Sequence, residues 1–265
     1  MDLQSAKGQW ALVTGASSGI GREFCWQLAV AGMHLVLVAR RETLLQNLAQ
    51  QLVDAHGVRA LSLPFDLSEP SAAAQIKRRL DEEQVKVRLL CNNAALGRWG
   101  RFEQTPAEVY EEMIQLNTAA MVSLCSHLLP DLTSYPTSVI INVSSQAAYQ
   151  PVPFMAVYAA TKAFVQSFSQ ALFGEWGGRG VLVQTLVPGP TETEFDSKAG
   201  AYESAVSKRG TPAEVVRASL AYLGKDNPVV TNAKGLFLQR LFASLAPPKM
   251  VIKKVGSMFQ PPDRA

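Results

Sequence analysis

Cysteine and histidine are scarce in this 265-residue sequence, which limits the metal and redox chemistry open to it. Its cysteines, Cys25, Cys91 and Cys125, lie far apart and form no C-x-x-C pair. We therefore expect neither a disulfide framework nor a zinc site, and we predict no metal centre. An odd number of separated cysteines favours a reducing compartment, so we expect a cytoplasmic protein.

Long apolar runs and concentrated positive charge are also missing. No stretch approaches the roughly 20 apolar residues of a membrane span, and residues 1–9 show no basic leader followed by an apolar segment. We therefore expect no membrane span and no signal peptide. The formal net charge is +3 and the basic residues are scattered, so the sequence lacks the basic stripe of a nucleic-acid-binding protein.

Short apolar runs alternate with amphipathic stretches along the chain, which is typical of the α/β class. We predict strands at 10–13, 35–38, 60–63, 87–91, 139–143 and 181–187. We predict helices at 20–31, 42–55, 69–83 and 155–176, with a further long helical region that opens at Pro106. The strands are continuously apolar, which indicates burial on both faces. The pattern predicts a Rossmann-like, doubly wound parallel sheet in three αβα layers, with ligands at the carboxyl ends of the strands.

The length favours one domain, which we divide into a Rossmann-fold catalytic part, 1–225, and a C-terminal helical extension, 226–265, packed on it. Within the first part, residues 188–210 are either a mobile substrate lid or a plain surface loop. The extension mixes apolar and basic residues. We expect it to serve as a second oligomer contact or as support for the lid. Docking on a membrane surface is the less favoured reading, because Arg240 interrupts its longest apolar run and Pro247-Pro248 breaks it.

A glycine-rich turn follows the first predicted strand and opens the first helix. Such a turn brings the backbone close to a pyrophosphate, while the helix N-terminus offers N–H groups. We predict that the cofactor contacts here are Gly15, Ser17, Ser18, Gly19, Ile20 and Gly21. The same letters also read G-x-S-x-G, the nucleophile elbow of a hydrolase. That fold needs a histidine after the sixth strand, whereas His34, His56 and His127 all precede it.

The second strand ends at Arg40, where an NAD site would place an acid that holds the ribose hydroxyls. A guanidinium at this point can form a bidentate pair with a 2′-phosphate, which favours NADP(H) over NAD(H). Asp66 and Leu67 follow the third strand. The Asp66 carboxylate lies either beside the adenine amino group or, like Ser68, at a helix N-cap. The sequence does not separate these two roles.

Tyr158 and Lys162 are four residues apart in a strongly helical stretch, so their side chains share one face. An ammonium close to the phenol is expected to lower the phenol pKa from about 10, which would allow proton exchange near neutral pH. Ser145 ends the fifth strand, where its hydroxyl can hold a substrate oxygen. Asn117 is polar within an apolar helical run, and we expect it to hold a water that relays protons from Lys162.

These motifs together resemble the short-chain dehydrogenase/reductase family from about Gln9 to Phe195. The resemblance implies that Tyr158 is the acid/base, that Lys162 also binds the nicotinamide ribose, that Ser145 orients the substrate and that Asn117 holds the relay water. It implies the NADP-preferring branch and a homodimer or homotetramer. Further matching positions, which we expect to contact the cofactor, are Asn93, Ala94, Pro188, Gly189 and Thr191 or Thr193, one of the last two binding the carboxamide.

We therefore expect an NADPH-dependent oxidoreductase that reduces a ketone or aldehyde to an alcohol, or catalyses the reverse reaction. Tyr149, Phe154, Met155 and Phe195 either line an apolar substrate pocket or are ordinary packing. The alternative function is a non-catalytic NADP(H)-binding sensor or scaffold. The complete Asn–Ser–Tyr–Lys set argues against it, because a sensor has no need of an acid/base pair.

Overall fold

A parallel sheet of seven strands forms the centre of the molecule, in the order β3-β2-β1-β4-β5-β6-β7. The computed structural model describes residues 3–200, 209–225 and 227–261, so residues 201–208 of the expected lid lie outside the described residues. The strands are β1 (Trp10–Thr14), β2 (His34–Ala39), β3 (Ala60–Pro64), β4 (Val87–Asn92), β5 (Ser138–Val143), β6 (Val181–Val187) and β7 (Val229–Thr231). Every neighbouring pair is parallel, which confirms the predicted doubly wound α/β fold.

Helices cover both faces of this sheet. They are α1 (Gly19–Val30), α2 (Glu42–His56), α3 (Ala72–Glu82), α4 (Ala107–Ile114), α5 (Ala120–Thr133), α6 (Ala156–Trp176), α7 (Phe195–Ala199), α8 (Pro212–Ala221), α9 (Leu236–Leu245) and α10 (Pro248–Phe259). On one face, α1, α2 and α8 bury Phe24, Leu45 and Val215 against the strands. On the other, α3 and α5 bury Ile76 and Leu124. The continuously apolar strands are therefore buried from both sides, as their sequences require.

Three local features differ from the sequence prediction. The third helix begins at Ala72 rather than at 69, because residue Glu69 precedes Pro70 and is disfavoured in a helical conformation. The long helical region after Pro106 is divided by a π-helical segment, Gln115–Ala119, between α4 and α5. Neither β7 nor α8 was predicted, since β7 has only three residues and lies in the stretch assigned to the C-terminal extension.

The parallel topology places the ends of β1, β4, β5 and β6 at one edge of the sheet. In the register of the sheet, Asn92 at the end of β4 faces Asn142 of β5, and Val143 of β5 faces Leu186 of β6. The glycine-rich turn, Ser145 and Pro188 each follow one of these strands directly. Their meeting at one edge therefore follows from strand direction alone.

The C-terminal helices pack over this same edge. Val251 and Val255 of α10 are buried in a third apolar cluster, together with Met113, Met155 and Tyr158. Phe242 of α9 packs against that cluster. Within the part of the chain that the structure describes, none of the helices has the length and apolar character needed to cross a membrane.

The central position of β4 leads to a test of the core. Leu90 is fully buried between the sheet and the α3/α5 layer. Its replacement in Leu90→Ala should lower the free energy of unfolding by about 2–5 kcal/mol, because the cavity is enclosed on all sides. Urea unfolding followed by circular dichroism measures this. Leu44→Ala, on the exposed side of α2, is the matched control and should change stability by less than about 1 kcal/mol. Equal losses for the two variants would contradict the burial described here.

Candidate active site

The glycine-rich turn between β1 and α1 adopts the conformation that a phosphate site requires. Gly15 and Gly19 have φ values of +65° and +53°, in the left-handed region that favours glycine. A Cβ on Gly21 would lie 2.3 Å from the Gly15 carbonyl oxygen. Ser18 is the N-cap of α1, but its side chain makes no hydrogen bond to the helix. The first-turn N–H groups are therefore left uncapped by Ser18, and they fit an anionic pyrophosphate.

Thr14, the last residue of β1, ties this turn to the segment after β4. Its hydroxyl oxygen accepts hydrogen bonds from the backbone N–H groups of Asn93 and Ala94, each at 2.9 Å. In return, the Asn93 side-chain amide donates to the Thr14 carbonyl oxygen at 2.9 Å. Asn93 and Ala94 thus stand beside the glycine-rich turn. Thr14 was not among the predicted site residues, although its place at a strand end directly before Gly15 is the signal that would have found it.

Two arginines, rather than the predicted one, lie at the end of β2. The guanidinium of Arg40 is exposed and pairs with Asp66 at 3.5 Å and with Glu112 at 3.1 Å. The guanidinium of Arg41 donates to the Ser17 hydroxyl at 3.1 and 3.3 Å and pairs with Glu194 at 3.0 Å. Arg41 therefore touches the glycine-rich turn itself. Sequence reasoning missed it because adjacent basic residues look equivalent until the chain is folded.

Asp66 forms the turn that follows β3. Its carboxylate accepts hydrogen bonds from the Ser68 backbone N–H at 2.9 Å and from the Ser68 hydroxyl at 2.7 Å. Burial raises the pKa of Asp66, but these bonds and the Arg40 charge outweigh it and hold the pKa below its usual value. The helix N-cap is Ser71, so the capping alternative for Asp66 and Ser68 was wrong. Leu67 is buried, and its side chain lines a small cavity described below.

Ser145, Tyr158 and Lys162 meet at the ends of β5 and α6. Tyr158 is 9% exposed, and the Ser145 side chain lies close enough to it to lower the pKa of its hydroxyl. The Ser145 hydroxyl oxygen accepts a hydrogen bond from the Ala147 backbone N–H at 3.1 Å. The Lys162 ammonium donates to the Val143 carbonyl oxygen at 2.8 Å and lies 5.8 Å from the centre of the Tyr158 ring. The neighbouring Ser144 is instead buried and donates to the Lys162 carbonyl oxygen at 3.0 Å. Of the two serines, only Ser145 therefore faces the phenol.

The protonation of this pair differs from the sequence-based expectation. Burial raises the pKa of Tyr158 to about 12; the nearby Ser145 side chain offsets only part of that rise, and the negative charge of Asp196 adds to it. Burial also lowers the pKa of Lys162 to about 8. The expected lowering of the phenol pKa by Lys162 was wrong for the protein alone, because desolvation dominates and the ammonium is bonded to a carbonyl. At neutral pH the Tyr158 hydroxyl therefore holds its proton.

Asn117 lies inside the π-helical segment, a distortion often found at functional sites. Its side-chain oxygen Oδ1 accepts a hydrogen bond from the Leu96 backbone N–H at 2.8 Å. Its side-chain nitrogen Nδ2 donates to the Leu96 backbone carbonyl oxygen at 2.9 Å and to the Thr161 hydroxyl at 3.0 Å. The side chain is thus engaged by protein groups rather than directed at a water. A cavity of about 10 Å³ lies between Asn117, Lys162 and Val143, which is close to the volume of one water molecule.

The segment after β6 lies over the glycine-rich turn. The Gly189 N–H donates to the Asn232 side chain at 3.0 Å, and the Thr191 hydroxyl donates to the Gly189 carbonyl at 2.8 Å. The Thr193 methyl lies so close to Gly19 that a Cβ there would be 2.9 Å from it. Thr191 is therefore turned back toward Pro188 and Gly189, while Thr193 is directed to the phosphate end.

An apolar cluster surrounds the Tyr158 ring. Phe195 of α7 lies 5.1 Å from it, centre to centre, and fills the space above Gly97. Two of the four predicted pocket residues, Met155 and Phe195, belong to this cluster. Tyr149 lies instead beneath Arg240. The backbone carbonyl oxygen of Phe154 accepts a hydrogen bond from the Gly100 N–H. Sequence reasoning missed the contributions from distant segments, which are Leu96, Trp99, Val251 and Val255.

Known proteins share this fold along almost the whole chain. A short-chain dehydrogenase from Sphingobium yanoikuyae in complex with NADPH superposes with a TM-score of 0.80 at 32% identity, covering 97% of this chain and 99% of that chain. A 7β-hydroxysteroid dehydrogenase structure superposes with a TM-score of 0.85 at 28% identity, covering 97% of this chain and 100% of that chain. The 7β-hydroxysteroid dehydrogenase of Collinsella aerofaciens is 31% identical over 238 residues, which are 88% of this chain and 90% of that protein.

The family model described as short chain dehydrogenase matches residues 9–204. That range contains the glycine-rich turn, both arginines at the end of β2 and the Asn117, Ser145, Tyr158 and Lys162 constellation. The chain therefore belongs to the short-chain dehydrogenase/reductase family, the NAD(P)(H)-dependent oxidoreductases that act on CH–OH and C=O groups.

Proposed function

We propose that this protein is an NADPH-dependent oxidoreductase that reduces a ketone or aldehyde to an alcohol, or catalyses the reverse reaction, with Tyr158 as its acid/base. The observation that carries the proposal is the buried contact of Ser145, Tyr158 and Lys162 at the sheet edge that also holds the glycine-rich turn. This proximity supports a site in which a proton donor acts beside a bound dinucleotide.

NADP(H) fits the nucleotide end of the site better than NAD(H). The guanidinium groups of Arg40 and Arg41 both stand at the end of β2. A 2′-phosphate beside them would form charge-assisted hydrogen bonds. The relative from Sphingobium yanoikuyae, which binds NADPH, supports the choice. Asp66 and Leu67 would lie toward the adenine. The remaining contacts that we assign to the cofactor are Gly15, Ser17, Ser18, Gly19, Ile20, Gly21, Asn93, Ala94, Tyr158, Lys162, Pro188, Gly189, Thr191 and Thr193.

Each catalytic side chain has a distinct task in reduction. The reduced nicotinamide, when bound, supplies the hydride. The Tyr158 hydroxyl, protonated at neutral pH, donates its proton to the carbonyl oxygen as negative charge develops there. Ser145 holds that oxygen next to the phenol. Lys162 contributes a positive charge that stabilises the phenolate left behind, and a water in the cavity beside Asn117 would connect Lys162 to the next proton donor.

The substrate is proposed to be a bulky apolar carbonyl or hydroxyl compound, such as a hydroxysteroid. The surroundings of Tyr158 are largely apolar and include Met155, Phe195, Val251 and Val255, although the Asp196 carboxylate is near enough to raise the pKa of the phenol. The Collinsella aerofaciens relative is itself a hydroxysteroid dehydrogenase. An apolar wall of this kind binds a ring system by burial of its surface and leaves only the reacting oxygen to Ser145 and Tyr158.

We further propose a homodimer or homotetramer that acts in the cytoplasm. The assembly is proposed by analogy with the family. The location is supported by the three cysteines, which are free thiols buried in the core, as expected of a protein from a reducing compartment.

Removal of the Tyr158 hydroxyl tests the acid/base assignment. Tyr158→Phe should lower kcat for ketone reduction by about 100-fold or more, because the developing alkoxide loses its proton donor. Turnover is followed at the nicotinamide absorbance, and NADPH affinity is followed by its fluorescence, which should change little. Tyr222→Phe, on an exposed part of α8's C-terminal end, is the control and should keep full activity. Undiminished turnover by Tyr158→Phe would remove this residue from the mechanism.

Replacement of the two arginines tests the choice of cofactor. Arg41→Ala and Arg40→Ala should each raise the KM for NADPH, Arg41→Ala by about tenfold or more, since a hydrogen bond to a charged group is worth about 1.5–3 kcal/mol. The KM for NADH should stay nearly constant, because NADH lacks the phosphate. Arg59→Ala removes a cation that lies over Trp10, at the opposite end of the strands, and serves as the control. An equal effect on both cofactors would contradict the phosphate assignment.

The titration of Lys162 predicts the pH profile. Burial lowers its pKa to about 8, so the ammonium is present below that pH and is lost above it. Because the Tyr158 pKa is raised to about 12, the phenol keeps its proton throughout this range. Ketone reduction should therefore lose kcat/KM as pH rises through about 8, by up to about tenfold per pH unit. Lys162→Arg, which keeps its charge, should move this decline to higher pH. A flat profile to pH 10 would disprove the role of the ammonium.

A further inference from the structure

Helix α9 presents an apolar face to solvent. Phe237 is 75% exposed, Leu238 68%, Leu241 44% and Leu245 75%. At 100° per residue these four side chains lie on one side of the helix and Leu236 lies on the opposite side; Phe242 lies at the edge of the apolar side and packs inward. A surface helix of a globular protein normally carries polar residues on its outer side. Contact with an apolar surface would therefore remove the outer side of α9 from water and be favourable.

The inner side of α9 contacts the active-site region. The Gln239 side-chain amide donates to the Gln146 carbonyl at 3.1 Å, and the Arg240 guanidinium lies 4.9 Å from the centre of the Tyr149 ring. Gln146 and Tyr149 belong to the short 3₁₀ turn that begins directly after Ser145. Arg240 interrupts the apolar run in the sequence. In the fold its guanidinium packs against Tyr149, so Arg240 lies at the edge of the apolar face rather than within it.

The positive charge near this apolar face indicates that its partner surface is anionic. Residues 227–262 contain no aspartate or glutamate. The cations among them are Lys234, Arg240, Lys249, Lys253 and Lys254. Their number alone exceeds the formal net charge of the whole chain, +3. Lys249 and Lys253 are exposed on α10, next to Met250 and Ile252, whose side chains are also exposed. Large apolar side chains flanked by lysines are typical of helices that lie on anionic membranes.

We propose that the α9–α10 face, defined as Phe237, Leu238, Leu241 and Leu245 with Lys249 and Lys253, docks on an anionic lipid bilayer. Helix α9 has 10 residues, about half the length of a span, so it would lie in the plane of the interface. A second copy of the chain suits the face less well. A two-fold contact would bring two such cationic units together with no carboxylate from either unit to pair with them.

The location of the face has a consequence for the substrate, which rests on the proposed function. Val251 and Val255 of α10 pack beside Tyr158 on the inner side of the same helical unit. Helix α10, whose lysines would contact the bilayer, therefore also lines the proposed substrate pocket with Val251 and Val255. An apolar carbonyl compound dissolved in the membrane would reach Tyr158 without crossing bulk water.

Vesicle binding by the full-length protein tests the proposal. Co-sedimentation is measured with phosphatidylcholine vesicles, with and without phosphatidylglycerol. We expect the protein to bind the anionic vesicles more tightly, and added salt to weaken that binding. Leu241→Ser combined with Leu245→Ser should weaken it by about tenfold or more through lost apolar burial. Lys249→Gln and Lys253→Gln should each weaken it by about fivefold, and only on anionic vesicles.

The controls separate docking from folding and from catalysis. Val30→Ser combined with Leu44→Ser alters exposed apolar residues of α1 and α2 and should bind vesicles as the unaltered protein does. Retained NADPH binding and an unchanged thermal unfolding curve show that each variant is folded. Tyr158→Phe should also bind vesicles normally, so an error in the proposed reaction would not be mistaken for an error in docking.

Three outcomes would overturn the proposal. The first is no binding of the unaltered protein to anionic vesicles, and the second is equal binding to neutral and anionic vesicles. The third is a smaller molecular mass by light scattering for Leu241→Ser combined with Leu245→Ser, while that variant binds vesicles as tightly as the unaltered protein. That result would assign the α9–α10 face to a contact between copies of the chain.

Discussion

The ammonium of Lys162 donates to the carbonyl oxygen of Val143, and through this contact α6 is fastened to the last residue of β5. The bond fixes the height of α6 against the sheet, and Tyr158, one turn earlier, is thereby held beside Ser145. Burial makes the arrangement demanding, because a charged lysine in the interior must keep a hydrogen-bond partner. Burial also determines the protonation of the pair, because it raises the pKa of the Tyr158 phenol and lowers the pKa of the Lys162 ammonium.

A second set of contacts aligns the nucleotide end with this centre. Thr14 binds the backbone after β4, and Thr193 lies against the glycine-rich turn. Arg41 joins Ser17 in that turn to Glu194, which precedes the α7 helix carrying Phe195. The glycine-rich turn and the α7 segment that carries Phe195 are therefore physically connected.

The C-terminal helices have two sides with different surroundings. Their inner sides complete the apolar surroundings of Tyr158, while their outer sides are apolar and basic. Arg240 shows why the two sides must be considered together. In the sequence it looks like an interruption of an apolar segment, but in the fold its guanidinium stacks on Tyr149 and leaves the outer side of α9 apolar. Helical periodicity, rather than the length of the apolar run, decides what such a segment presents to solvent.

The sequence by itself determined the parallel sheet, because the alternation of apolar strands with amphipathic helices is a local pattern and such connections join parallel strands. It also predicted that Ser145, Tyr158 and Lys162 lie close together, because their spacing follows from one helix and one strand end. Only the tertiary structure decided which neighbours each group has. Arg41 rather than Arg40 contacts Ser17, and the Asn117 amide is occupied by Leu96 and Thr161. Such pairings, and the pKa values that burial produces, depend on segments far apart in the chain, which no local pattern encodes.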